Sequence, residues 1–232
     1  MKAAVVVFPG SNCDRDVIHA LSSVAGIPTM EIWHKEDALP SGTDLVVLPG
    51  GFSYGDYLRC GAMAARSPII RAVCAHANDG GLVLGICNGF QVLTETGLLP
   101  GALLANKSLR FICDRCFLKV ERTDTPFTVA YSKGQIVQFP IAHHEGLYFL
   151  PEKQLAELED NRQVVFRYAS QEGASGEEQS PNGALNGIAG IVNKAGNVLG
   201  LMPHPERATE SLLGCDDGLS MWNSVKAWLE GR

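Results

Sequence analysis

The sequence predicts an α/β protein built on a doubly wound, mainly parallel sheet with a small inserted antiparallel subsheet. Three observations carry that expectation. The run 3–8 is continuous, apolar and β-branched, as in a strand buried on both faces. Further apolar runs at 44–48 and 81–86 are separated by a helix-patterned stretch, which is βαβ alternation. Each run ends in a glycine-containing turn, so sites are expected at the C-terminal ends of strands.

Taken in order, 3–8 forms the first strand and stops at Pro9-Gly10. Asn12 is placed to cap a helix running to Ala25 and Gly26. Strands follow at 29–33 and 44–48, the second ending at Pro49-Gly50-Gly51, then a helix at 69–78 and a strand at 81–86. From 117 to 139 short β-like pieces alternate with turns at Thr123-Asp124-Thr125-Pro126 and Ser132-Lys133-Gly134, which reads as the antiparallel subsheet. The stretch 173–187, rich in Gly, Ser, Glu, Pro and Asn, is expected to be an exposed and mobile loop. Strands at 188–192 and 198–202 and an amphipathic helix at 217–229 complete a flavodoxin-like order. No repeat or long linker divides the chain, so one domain over 1–232 is expected.

The net charge of −6, with both signs interspersed, leaves no basic footprint and argues against nucleic acid as a partner. Seven cysteines in no framework pattern fit a reducing cytoplasm. Cys113-Asp114-Arg115-Cys116 has CxxC spacing, but no second half completes a metal site, so no metal is expected. The apolar N-terminal run is too short for a signal or membrane span, and no membrane partner is expected.

The chemistry concentrates at Gly85-Ile86-Cys87-Asn88-Gly89. A cysteine between glycines on a strand-to-helix turn has the form of a nucleophile elbow, where the helix N-terminus favours a thiolate. A thiol nucleophile needs a base and a group to orient that base. His204 and Glu206 supply both at the end of a predicted strand; alternation aims them the same way, and Pro205 stiffens the link. Oxyanion donors are expected from the N–H of Asn88 and from Gly51 or Phe52 in the glycine turn. The stretch Gly50-Gly51-Phe52-Ser53-Tyr54-Gly55 lacks the Lys-Ser/Thr of a P-loop, so no nucleotide site is expected in this chain.

Gly85-Ile86-Cys87-Asn88-Gly89-Phe90-Gln91 with His204-Pro205-Glu206 resembles the triad-type (class I) glutamine amidotransferases. Pro9-Gly10-Ser11-Asn12-Cys13-Asp14, Asn106-Lys107-Ser108-Leu109-Arg110-Phe111 and Met202-Pro203-His204-Pro205-Glu206-Arg207-Ala208 narrow the resemblance to the small glutaminase subunits of phosphoribosylformylglycinamidine synthase, nearly end to end. The resemblance implies Cys87 as thioester-forming nucleophile, His204 as general base and acid, and Glu206 as its partner. It also implies L-glutamine held by Gln91 and by the loop carrying His143 and His144. His144 stands where the family commonly has glycine, and Ser180-Pro181-Asn182-Gly183-Ala184 matches the family turn only in part.

In such a family ammonia passes to a large synthetase subunit, where ATP and Mg²⁺ bind and the amidine of formylglycinamide ribonucleotide forms in purine biosynthesis. No cofactor is then expected in this chain, and a small bridging subunit is the other expected partner. The loop 173–187 and the edge near Arg59 and Arg110 are candidate contacts. The rival expectation is a stand-alone cysteine hydrolase, a peptidase or γ-glutamyl hydrolase, on the same fold.

Overall fold

The structure, a computed structural model, describes residues 1–231. Its strands are β1 (Ala3–Val7), β2 (Thr29–Trp33), β3 (Leu45–Leu48), β4 (Leu82–Ile86), β5 (Ala102–Leu104), β6 (Ile112–Val120), β7 (Ile136–His143), β8 (Leu147–Phe149), β9 (Val164–Ala169), β10 (Ile188–Val192) and β11 (Val198–Leu201). The α-helices are α1 (Asp14–Ile18), α2 (Ile69–Asn78), α3 (Asn88–Glu95), α4 (Glu152–Asp160) and α5 (Leu219–Glu230). Nine strands form one sheet in the order β2-β1-β3-β4-β11-β10-β9-β6-β7. The half from β2 to β11 is parallel, and its order reverses at β1. Loops leaving β1 and β3 therefore open at a topological switch point, where α/β sheets place their sites.

The parallel half is apolar because helices cover both its faces. All four side chains of β3 are fully buried, and each burial stabilises the fold by about 1.5–3 kcal/mol relative to exposure. Helix α2 turns Ile69, Val73 and Ala77 inward, one stripe at helical spacing. These side chains join a contiguous apolar core that also takes in Trp222 and Val225 of α5.

The α/β class and the strand-helix alternation hold, while three local expectations are corrected. Asn12 does not cap the first helix: α1 starts after Cys13 with no side-chain cap and widens into a π-helix over His19–Val24. Residues 10–12 instead pack on the glycine turn, through the Ser11–Gly51 bridge and the Phe52 N–H bond to Gly10 O at 3.1 Å. The segment 117–139 does not make the small subsheet. Its flanks are the longer strands β6 and β7, which extend the main sheet beyond β9, whereas the separate pair is β5 with β8. Stretch 173–187 is partly interior, since Asn182 and Ala184 are fully buried and hydrogen-bonded.

Candidate active site

Cys87 joins β4 directly to α3, with φ 51° and ψ −106°. Such a backbone costs of order 1–3 kcal/mol for a non-glycine residue and persists only where its surroundings enforce it. The flanking glycines are that enforcement. A Cβ on Gly89 would stand 1.9 Å from Leu48 O, and one on Gly85 would stand 2.6 Å from Gly89 O. With no side chain at either position, α3 packs directly on the ends of β3 and β4. The Cys87 N–H donates to Leu201 O at 2.8 Å, continuing the ladder between β4 and β11. The first N–H groups of α3 face the same edge, so the sulfur sits where the helix field favours negative charge.

The second half of the site follows from that pairing. β11 runs parallel beside β4 with Leu201 opposite Ile86, so the chain leaving β11 emerges next to Cys87. His204 is anchored by its N–H to Pro140 O at 2.8 Å, and its Nδ1 lies 2.6 Å from Glu206 Oε1, with both side chains buried. Strand alternation does not produce this pair, because β11 ends at Leu201 and Pro205–Arg207 forms a single 3₁₀ turn. Pro205 occupies the first helical position, where its fixed φ suits the turn and a missing N–H costs nothing.

Burial opposes a charge on the His204 imidazole, but the charges of Glu206 and Cys87 outweigh it and hold its pKa well above the ordinary histidine value. Oε2 of Glu206 is buried without a hydrogen bond among the described residues, while the thiols of Cys13 and Cys87 both lie against the His204 imidazole. A thiol and an imidazole so arranged can share one proton, which is what an attacking sulfur and a departing amine require.

Gly50 sits between these groups. A Cβ there would lie 2.7 Å from His204 Cε1 and 3.3 Å from Cys87 Cβ. Gly51, at φ 133°, has no room either, since its Cβ would stand 2.6 Å from Asn12 N. Of the two expected turn donors, Phe52 has committed its N–H to Gly10 O, which leaves Gly51 as the donor that turn can offer. Asn88 ties this turn to the elbow. Its Oδ1 accepts from Ser53 N at 3.2 Å, while Nδ2 donates to Gln91 Oε1 at 2.8 Å and to Asp56 Oδ1 at 3.3 Å. Two donors on separate loops are thus held in fixed relation, as oxyanion stabilisation requires.

Gln91 is buried, and its Nε2 donates to Glu145 O at 2.6 Å, so it joins α3 to the loop after β7. His143 ends β7 at the foot of that loop, buried rather than on its surface. Its Nδ1 meets Asn106 Oδ1 at 3.1 Å, and its Nε2 lies 3.4 Å from Asn182 Nδ2. Burial pushes its pKa down to about 4, so the ring is a neutral clamp between two loops. His144 is exposed and does not adopt a left-handed φ. Histidine in place of the usual glycine therefore costs this backbone no strain.

Cys13, just before α1, carries no role of its own in the sequence beyond its place in the Pro9–Asp14 motif, yet the fold brings it to His204 and Glu206. Ligand atoms of the three lie within 4.8 Å of one another. Arg207 Nη2 donates to Cys13 Sγ at 3.2 Å, and its Nε donates to Asp16 Oδ2 at 2.8 Å. The available signal was positional, because Cys13 follows β1 at the same sheet edge as Cys87. Cys113 and Cys116 lie on β6, three residues apart and hence on opposite faces. Cys113 is exposed, while burial pushes the Cys116 thiol up to about 12, so the CxxC spacing holds no metal half-site.

Fold and elbow together define an α/β protein of the amidotransferase class, and the CobB/CobQ-like glutamine amidotransferase domain matches residues 1–229. Phosphoribosylformylglycinamidine synthase subunit PurQ of Gloeobacter violaceus is 58% identical over 227 residues, 98% of this chain and 97% of that protein. The same subunit of Nitrobacter hamburgensis is 55% identical over 99% of both chains. Among solved structures, PurLQS from Thermotoga maritima superposes with a TM-score of 0.85 at 46% identity, covering 98% of each chain. The chain belongs to the PurQ family. The glutaminase domain of Trypanosoma brucei CTPS, at TM-score 0.60 and 14% identity over 99% of this chain and 94% of that one, shares the fold.

Proposed function

We propose that this chain is the glutaminase subunit of phosphoribosylformylglycinamidine synthase, acting as one domain over 1–232. The observation that carries the chemistry is the meeting of a left-handed Cys87 at the α3 N-terminus with the buried His204–Glu206 pair across the β4–β11 ladder. Cys87 Sγ attacks the side-chain amide carbon of L-glutamine, and its proton passes to His204 Nε2. The N–H groups of Gly51 and Asn88 hold the oxyanion. As the tetrahedral species collapses, His204 gives that proton to the departing nitrogen. Ammonia leaves and a γ-glutamyl thioester remains, which water, deprotonated by His204, cleaves to glutamate. Gln91 and the 143–146 loop border the glutamine pocket, with His143 fixing that loop and His144 facing its outer side.

Ammonia then serves a cytoplasmic synthetase subunit that carries ATP and Mg²⁺ and makes the amidine in purine biosynthesis, with a small bridging subunit completing the assembly. The rim of the site supports such docking. Leu58 and Leu109 are 91% and 74% exposed and both left-handed, at φ 70° and 54°, while Phe52 and Phe111 stand exposed with ring centroids 6.3 Å apart. Apolar side chains held outward at a backbone cost suit a covered surface better than a solvated one. Arg59 lies at this edge, paired to Glu95. No helix among the described residues is long and apolar enough to cross a membrane.

The deciding experiment uses Cys87→Ala in the reconstituted complex. Glutamine-dependent amidine synthesis should vanish while synthesis from added ammonia persists. Loss of both with the complex intact would sink the division of labour, and full glutamine hydrolysis by the isolated chain would favour a stand-alone hydrolase.

A further inference from the structure

Cys13 takes no part in the bond changes, yet it links the two loops that carry them. Its backbone N–H donates to Gly50 O at 3.3 Å, in the turn that offers the Gly51 donor. Its side chain reaches the opposite loop, where Sγ accepts from Arg207 Nη2 at 3.2 Å and lies against the His204 imidazole. Polar side-chain atoms of Cys13, His204 and Glu206 fall within 4.8 Å of one another, and Cys13 is only 3% exposed. A Cβ on Gly50 would stand 3.1 Å from Cys13 Sγ and 2.7 Å from His204 Cε1, so that glycine clears the space in which sulfur and ring approach.

The state of the thiol decides what it offers that ring. Burial, the largest influence, pushes the Cys13 thiol above the ordinary cysteine value, so it stays protonated at neutral pH. Its one hydrogen is committed, since Sγ donates to Asn12 Oδ1 at 3.2 Å. Only lone pairs then face Arg207 and His204. An imidazolium carries positive hydrogen on both nitrogens and on Cε1, so a lone pair beside it favours the charged ring over the neutral one. Glu206 meets Nδ1 from the same turn, Cys87 comes from the elbow, and Cys116 of β6 and the neutral His143 of β7 are the other titratable groups that feel this ring. Arg207 would oppose a second positive charge, but its Nε donates to Asp16 Oδ2 at 2.8 Å, which offsets it.

We propose that Cys13 is a positioning residue for the general base: held by Gly50 O, Asn12 and Arg207, its neutral sulfur fixes the His204 imidazole and favours the protonated ring while the thioester forms. The proposal rests on His204 being the base of the glutaminase. No bond is made or broken at Cys13. Cys87 gives its proton to His204, and Cys13 stabilises the resulting imidazolium until that proton passes to the departing nitrogen.

The test follows the His204 ring by NMR pH titration of the histidine-labelled full chain, in a Cys87→Ala background so that no thiolate from the elbow contributes. His204→Gln identifies the signal. Cys13→Ala should lower the His204 midpoint by about one pH unit, the scale of one hydrogen bond to a charged group. Cys13→Ser, which keeps a lone pair at that position, should recover most of the shift. With Cys87 present, the alkaline limb of kcat/KM for glutamine should move to lower pH by the same amount in Cys13→Ala, because the imidazolium is lost sooner. Circular dichroism checks folding, and Cys13→Val replaces Cys13→Ala if that chain does not fold. An unchanged His204 midpoint in the folded variant would overturn the proposal. So would a Cys13→Ser midpoint as low as that of Cys13→Ala, since the sulfur would then only fill space. Activity that persists in Cys87→Ala would overturn the glutaminase reading instead, while the His204 titration would still decide the role of Cys13.

Discussion

His204 Cε1 occupies space that a side chain on Gly50 would fill, because a Cβ there would lie 2.7 Å from it. Gly50 does not use a left-handed backbone, so alanine is excluded by the neighbouring imidazole and by Cys87, not by φ. Gly50→Ala should fold yet displace the base from the thiol. A displacement near 1 Å is expected to lower kcat roughly 100-fold. Glutaminase kinetics with a circular-dichroism control would check it, and wild-type kcat in the folded variant would refute the packing.

Glu206 accepts a hydrogen bond from His204 Nδ1 with both side chains buried, and its charge helps keep the imidazolium stable. Glu206→Gln keeps the shape and removes the charge. The expected loss in kcat is on the order of 10³-fold or more, as when a triad carboxylate becomes an amide. Glutamine affinity should change little. Steady-state assays together with binding of glutamine to Cys87→Ala would separate the two effects.

Asn88 holds three groups at once, among them the buried Ser53 N–H. Asn88→Ala leaves that buried donor unpaired, which costs about 1–3 kcal/mol. Urea unfolding should report the loss. Activity should fall further than stability alone explains, since Gly51 and the α3 N-terminus lose their common tether. A variant with wild-type kcat would show that the turn is positioned by other contacts.

His143 links pH to stability. Its folded pKa is pushed down to about 4 from 6.5 by burial, so the unfolded chain binds the proton more readily. The contribution is fully present above the unfolded pKa and is lost as pH falls towards the folded one. Between pH 6.5 and 4 stability should drop by about 3 kcal/mol from this residue. His143→Gln, which retains a donor and an acceptor, should flatten that part of the profile in denaturant titrations. An unchanged slope would mean that another group carries the acid sensitivity.

Local patterns made much of the chain legible. Strands Thr29–Trp33 and Ile188–Val192 and helix Ile69–Asn78 fall where apolar period and turn residues place them, since those signals act over a few residues. The segment 117–139 misled because β6 and β7 are partly exposed, with mixed polarity, and their place in the sheet depends on the distant strand β9. Stretch 173–187 misled differently. Its composition is that of a loop, and contacts to distant segments make it interior, Asn182 bonding Gly146 and Tyr168 with Ala184 buried beside it.

The sequence by itself determined the elbow at Cys87 and the pairing of His204 with Glu206, because each depends on neighbours one or two positions away. Tertiary structure alone decided that β11 lies beside β4, that Gly50 clears the space between thiol and imidazole, and that Cys13 joins them. These are contacts between segments far apart in the chain. Their energy comes from burial and sheet pairing that no local pattern records, so only folding brings them to one edge.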